Sequence, residues 1–206
     1  MKNAILFLSL IFISSLSLAQ VNIEWEMTYG DEGNEEAHNI VEAKDGGYFI
    51  VGYTNSQGNG KRDGWLVKIN KEGAEEWDVT FGGPKNEEMH DLIELEDGSL
   101  ALLGYTESQG KGKEDMWFIM TDKEGNIIYN KSFGGDKEDK GTRLLMNYEG
   151  DFLLMGYTKS KGPGNCNFWV MRYKPDLNPE PAEKGGRKRT ERPVWDRYVG
   201  GAKYEA

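Results

Sequence analysis

Short hydrophobic runs alternate along the chain with polar segments that contain glycine, which is the pattern of β-strands joined by turns and loops. The first clear set of runs predicts four strands at residues 39–43, 48–53, 65–69 and 77–81. The second run is apolar on both faces and predicts a strand covered on both sides, whereas the fourth alternates and predicts one face in water. This gradient is typical of a four-stranded antiparallel meander. Glycines in the segments 45–47 and 71–73 predict tight turns, because glycine permits the positive φ angles that hairpin turns need.

The four-strand pattern recurs without gaps at intervals of 52 residues. Recurring positions are Trp25, Trp77 and Tyr129; Gly52, Gly104 and Gly156; and Trp65, Trp117 and Trp169. A fixed period near ~50 residues is typical of β-propeller blades and not of helical solenoids. The sequence therefore predicts an all-β protein, a β-propeller built of four-stranded antiparallel blades, with blade repeats at approximately residues 30–81, 82–133 and 134–199. We expect the third-strand tryptophans to pack between neighbouring blades.

The two ends of the repeat region depart from this pattern. Residues 25–29 match the outermost strand of a blade, without the three strands before it, and predict a closing strand. The third repeat carries a 14-residue insertion near 179–192, and residues 200–206 match the start of a further repeat. About three blades are present, whereas propellers typically have about 4–8. We therefore expect an incomplete ring. The chain is then a fragment of a longer protein, or its protomers associate to complete the ring, or the unit stays open.

Residues 1–19 have the features of a secretory signal peptide. Lys2 supplies the positive charge, residues 4–18 are an apolar run broken only by serines, and small residues precede the predicted cleavage before Gln20. The apolar run is shorter than the ~20 residues that span a bilayer. We therefore expect an exported protein, secreted or at the cell surface, with a mature region at 20–206 and no membrane span.

Composition restricts the partners. The formal net charge is −10, and it becomes −11 when residues 1–19 are removed, because they contain one lysine and no acid. A strongly acidic protein is a poor match for nucleic acid, which we exclude as a partner. Cys166 is the single cysteine, so stability must come from strand packing and not from an intramolecular disulfide.

Candidate ligand contacts lie on the face that carries the long loops, which is the usual binding face of a rigid scaffold. The candidates are His38, His90, Glu87, Glu88, Ser56, Ser108 and Ser160. His38 and His90 are equivalent residues at the start of the innermost strand, with Thr142 in the third repeat. Two interpretations stay open for them: a two-histidine metal site with a carboxylate neighbour, or packing at a strand end.

The three serines belong to a recurring Thr-x-Ser-x-Gly-x-Gly loop. A phosphate-binding loop would need these glycines to open a helix, so we interpret the Thr and Ser residues as turn residues that bond the backbone. Asp63 and Asp115, two residues before the third-strand tryptophans, are interpreted as structural acids that accept loop amides. Acidic loops before the first strand and basic loops after the second predict ion pairs between loops. A calcium or sugar site among these carboxylates is the alternative.

One repeat contains the elements Trp77-x-x-x-Phe81-Gly82-Gly83, Asp97-Gly98, Gly104-Tyr105-Thr106-x-Ser108-x-Gly110-x-Gly112 and Asp115-x-Trp117. This combination resembles a repeat of secreted and cell-surface bacterial proteins of the Bacteroidetes type, over residues 22–206. The resemblance implies a kelch-like or galactose-oxidase-like β-propeller, but it implies no single activity. Some members of this group are labelled endoglucanases.

The sequence thus predicts an exported, non-catalytic β-propeller that serves as a binding or scaffold module, as an N-terminal fragment of a larger secreted or cell-surface protein. Its expected partner is a polysaccharide or another surface protein. No Ser-His-Asp or Cys-His arrangement is visible, and no catalytic residue, metal or cofactor is assigned. One alternative is part of a carbohydrate-active enzyme, glycan-binding or endoglucanase-like. A further alternative is a quinoprotein-like dehydrogenase, because residues 73–77 are similar to the Gly-x-x-x-Trp end of quinoprotein blades, although the other elements of that motif are absent.

Overall fold

The computed structural model describes residues 22–177 and the strand Trp195–Val199. Within them the chain forms three four-stranded antiparallel sheets and no helix, which confirms the predicted all-β class. Sheet 1 consists of β1 (Glu35–Glu42), β2 (Tyr48–Thr54), β3 (Asp63–Ile69) and β4 (Glu75–Phe81). Sheet 2 consists of β5 (Glu87–Glu94), β6 (Leu100–Thr106), β7 (Asp115–Thr121) and β8 (Ile127–Phe133). Sheet 3 consists of β9 (Asp139–Met146), β10 (Phe152–Thr158), β11 (Asn167–Tyr173) and β12 (Trp195–Val199).

Several sequence predictions lie outside the described residues. These are the signal peptide at 1–19, the insertion near 179–192 and the start of a further repeat at 200–206. No helix among the described residues is long and apolar enough to cross a membrane.

The strands are longer than the hydrophobic runs predict. β1 begins at Glu35 and β3 at Asp63, because polar residues at these ends continue the backbone pairing through the Glu35–Thr54 and Thr54–Asp63 partners. Hydrophobic periodicity detects the buried part of a strand, whereas the ladder of backbone hydrogen bonds continues past it. The predicted tight turns are confirmed: Gly46 and Gly73 have φ angles of +87° and +82°.

The three sheets pack face to face through two hydrophobic clusters. The first joins sheet 1 residues such as Val51 and Leu66 to Leu100, Leu102 and Trp117 of sheet 2. The second joins Ala101, Leu103 and Phe118 of sheet 2 to Leu154 and Trp169 of sheet 3. Successive residues of β6 therefore face opposite neighbours, which explains why every residue of that strand is buried. The predicted packing between neighbouring sheets is confirmed for Trp117 and Trp169. Trp65 instead packs in a separate cluster with Val67, Ile69 and Tyr29, whose described members include no residue of another sheet.

The prediction that residues 25–29 form a strand is wrong. None of them is paired in a sheet, and sheet 1 contains only β1 to β4. The segment instead lies on the flank of sheet 1, where Trp25 packs over Gly73 and the Tyr29 hydroxyl donates to the Gly73 carbonyl at 2.6 Å. Trp77, the equivalent of Trp25, contacts Gly125 of sheet 2 in the same way. The side-chain contact of the repeat is thus kept, but within residues 22–177 and 195–199 no strand pairs its backbone with this segment.

Candidate functional site

The first strands of the sheets, β1, β5 and β9, are called the inner strands here, and each carries a β-bulge opposite its second strand. The bulged residues are His38, His90 and Thr142. A bulge turns its extra side chain out of the regular alternation, and such residues often lie next to functional sites. Glycine is required opposite each bulge: a Cβ on Gly104 would lie 1.8 Å from the Glu88 carbonyl oxygen.

The stacking of the sheets brings His38 and His90 together, with ring centroids 4.7 Å apart. His38 Nδ1 lies 3.1 Å from the carbonyl oxygen of Met89, on the next inner strand. His90 Nδ1 lies 2.6 Å from the carbonyl oxygen of Gly141, on the inner strand after that. Each imidazole therefore reaches from its own sheet to the following one.

Glu88 completes the cluster. Its Oε2 atom lies 3.5 Å from His90 Nε2 and 4.0 Å from His38 Nε2. Its Oε1 atom accepts a 2.7 Å hydrogen bond from Arg62 Nη1. Burial alone would raise the pKa of this carboxyl, but hydrogen bonds from His90, Tyr105 and Arg62 lower it to about 2. Glu88 is therefore a largely buried anion, with its side chain 10% exposed.

The walls around the cluster are aromatic and basic. The Tyr53 and Tyr105 rings flank His38 and His90, with centroids at 5.9 and 5.7 Å. Burial and, to a lesser extent, the neighbouring Glu88 raise the pKa of the Tyr105 phenol, so it stays a hydrogen-bond donor. An open pocket of about 430 Å³ in front of the cluster is also lined by Thr142 and Arg143.

The other four candidates do not join this cluster. Glu87 is fully buried, and its carboxylate accepts hydrogen bonds from the Thr106 hydroxyl and from the amides of Gly83 and Ser108. Its equivalents Glu35 and Asp139 likewise accept from Thr54 and Thr158. These acids join the loop that enters a sheet to the loop between its second and third strands.

The three candidate serines connect the same two loops through their hydroxyl groups. Ser56, Ser108 and Ser160 each accept an entry-loop amide, at 2.8, 3.1 and 3.0 Å. Each serine amide also donates to the preceding threonine hydroxyl, which confirms their interpretation as turn residues. We call these acids, threonines and serines the loop clasp.

The structural interpretation of Asp63 and Asp115 is also confirmed. Asp63 Oδ2 accepts from the Gly60 amide at 2.9 Å, and Asp115 Oδ2 accepts from the amides of Lys111 and Gly112. Burial raises the pKa of both carboxyls. The predicted ion pairs between loops are present at Lys159–Glu138 and between Arg62 and Glu88.

Sequence reasoning missed Asp91, which joins all three inner strands. Its Oδ1 atom accepts from the Asn39 side chain of β1 and its Oδ2 atom from the Leu144 amide of β9, at 2.7 Å. The available signal was a polar residue directly before the apolar pair of each inner strand, at a position that is Asn39, Asp91 and Arg143 in successive repeats. Arg62, Tyr53 and Tyr105 were also missed as walls of the histidine cluster.

The comparisons with known proteins add no relative. No protein-family model matches the chain, and no curated protein sequence is significantly similar to it.

Proposed function

We propose that the three sheets are consecutive blades of an exported β-propeller, which acts as a non-catalytic binding or scaffold module. The observation that carries this proposal is the meeting of the inner strands: β5 packs against sheet 1, β9 packs against sheet 2, and the bulged residues His38, His90 and Thr142 line one pocket. Equivalent strands of propeller blades are arranged in this way around a central channel.

The uncovered apolar face of sheet 3 favours a further blade that packs against it. Leu145, Met155 and Phe168 are 58%, 36% and 67% exposed on that face. The equivalents of Met155 and Phe168 in sheet 2 are Leu103 and Met116, which are fully buried in the cluster shared with sheet 3. A contiguous apolar face of this kind needs a cover. A sheet with the same repeat sequence fits it best, whether it comes from a longer chain or from another protomer.

The loop clasp favours a binding role for the long-loop face. Because the entry loop and the second loop of each sheet are tied together by carboxylate and hydroxyl hydrogen bonds, they form a preformed surface. We propose a polysaccharide or another surface protein as the ligand of that face.

The test is a binding screen with the purified exported chain against polysaccharides and surface-protein extracts. The same polysaccharides are assayed for release of reducing ends. We expect retention on a defined partner without any release. Release of reducing ends would overturn the non-catalytic assignment and favour a carbohydrate-active enzyme. A cofactor absorbance in the native protein would favour a quinoprotein-like dehydrogenase.

A further inference from the structure

We propose that His38, Glu88 and His90 bind a divalent transition-metal ion, with Zn²⁺ the best match, between the inner strands of sheets 1 and 2. The inference goes beyond the proposed function. It depends on the inner strands β1, β5 and β9, and it does not require that the sheets close a ring.

The three side chains already present their ligand atoms to one another. One ligand atom from each residue lies within 4.8 Å of the other two. Zinc–nitrogen and zinc–oxygen bonds of about 2.0–2.2 Å place neighbouring ligand atoms of a tetrahedral site about 3.4 Å apart. The 3.5 Å from Glu88 Oε2 to His90 Nε2 already meets this spacing, and the 4.0 Å to His38 Nε2 requires a closure of about half an ångström.

The main chain sets the tautomer of both histidines. A carbonyl oxygen only accepts, so the contacts to Met89 and Gly141 place the hydrogen of each ring on Nδ1. In the neutral rings this tautomer leaves a lone pair on Nε2 of His38 and of His90, and both atoms face Glu88. A metal ion would then replace the Nε2 hydrogen through which a protonated His90 bonds Glu88. Metal-binding histidines almost always donate their second ring nitrogen to a carbonyl or carboxylate in this manner.

With these tautomers, three lone-pair atoms converge on one small region, and that arrangement needs a cation at its centre. A proton shared between one ring and Glu88 would satisfy two of the three atoms. A metal ion satisfies all three. Arg62 donates to Oε1 of Glu88, and Oε2 is the oxygen that faces both histidines.

The donor set indicates which metal is bound. Two imidazoles and one carboxylate suit Zn²⁺ and its first-row neighbours, whereas Ca²⁺ and Mg²⁺ prefer oxygen ligands. Three protein ligands in an open pocket leave a coordination position for water or a ligand group. Glu36 Oε1, 3.7 Å from His38 Nε2 on an exposed side chain, is the nearest further protein ligand.

The decisive measurement follows the imidazole signals of His38 and His90, which are the only two histidines in the sequence. The exported chain is prepared without a histidine tag and with Cys166→Ser, because this exposed thiol is itself a metal ligand. Imidazole ¹⁵N NMR is recorded during titration with Zn²⁺. We expect saturation at one ion per chain, displacement of both Nε2 resonances and retention of both Nδ1 protons. Zn²⁺-insensitive Nε2 resonances would overturn the proposal and favour the shared proton.

Variants then assign the ligands. Loss of a residue that only hydrogen-bonds to a metal ligand typically weakens metal affinity about 10–100-fold. Loss of a ligand should cost more, so we expect His38→Gln and His90→Gln each to weaken Zn²⁺ binding by more than about 100-fold. Glu72→Gln removes an exposed turn carboxylate and is the matched control, with unchanged affinity expected. Undiminished Zn²⁺ binding in both histidine variants would also overturn the proposal. The NMR titration retains both histidines and decides the question even if a variant fails to fold.

Discussion

Truncation of Leu103 tests how strongly sheets 2 and 3 are packed. Leu103 is fully buried on β6, and a Cβ added to Gly141 of β9 would lie only 2.6 Å from its Cγ. Leu-to-Ala substitutions in cores cost about 2–5 kcal/mol and cost more when the cavity cannot collapse. Because Gly141 has no side chain to fill the space, we expect Leu103→Ala to lower the free energy of unfolding by about 3–5 kcal/mol. Urea denaturation followed by tryptophan fluorescence measures this loss, with an unchanged m-value.

The repeat supplies the control for this substitution. Met155 occupies the same repeat position in sheet 3, but it is 36% exposed on the open face. We expect Met155→Ala to cost less than about 1 kcal/mol, as for an uncovered site. If protomers cover that face, Met155→Ala instead weakens association in sedimentation velocity. Equal costs for the two substitutions in a monomer would refute the assignment of one buried and one open face.

Three further substitutions address the inner strands and loops. Gly104→Ala places a Cβ 1.8 Å from the Glu88 carbonyl oxygen, and we expect thermal unfolding to show a loss of about 3 kcal/mol, because the obstacle is backbone; an unchanged melting temperature would contradict this. The pKa of Glu88 is lowered in the folded state from 4.5 to about 2, so its stabilisation is full above pH 4.5 and is lost as the pH falls toward 2. Unfolding in the presence of a chelator should accordingly depend less on pH in Glu88→Gln over that range; an equally steep fall would contradict the lowered pKa. Glu87→Gln replaces an acceptor of four hydrogen bonds, and we expect a loss of about 1–3 kcal/mol with faster hydrogen exchange in the loop at 107–113. Unchanged exchange there would show that the loop clasp is not needed for loop order.

The sheets could be predicted from sequence because each strand contains its own signal. The apolar run Leu100–Ala101–Leu102–Leu103 has no polar face, and its short length between Asp97–Gly98 and Gly104 indicates a strand covered on both sides. The strand predicted at residues 25–29 was wrong because its sequence signal came from contacts with another sheet. Its side-chain pattern reports contacts with a neighbouring sheet, which are present, whereas strand formation depends on backbone partners that a pattern does not encode.

The histidine cluster could be predicted only in part. The period of 52 residues marks His38 and His90 as equivalent, but equivalence does not say that their rings meet. Glu88 and Glu87 look alike in sequence, yet strand alternation sends one to the cluster and the other to the loop clasp. The bulge adds one residue to the inner strand, so a strict alternation of faces fails there.

The cluster is a product of sheet stacking and not of a single repeat. Each histidine obtains its tautomer from the inner strand of the following sheet, through Met89 for His38 and through Gly141 for His90. Thr142, the third bulged residue, bonds to the Met155 carbonyl within its own sheet. A change that loosens the contact between sheets 2 and 3, such as Leu103→Ala, should therefore weaken Zn²⁺ binding through the His90–Gly141 contact, although Leu103 is not a metal ligand. Metal affinity and the packing of sheets 2 and 3 are then coupled, and a folded Leu103→Ala protein with lowered stability but unchanged Zn²⁺ affinity would contradict this coupling.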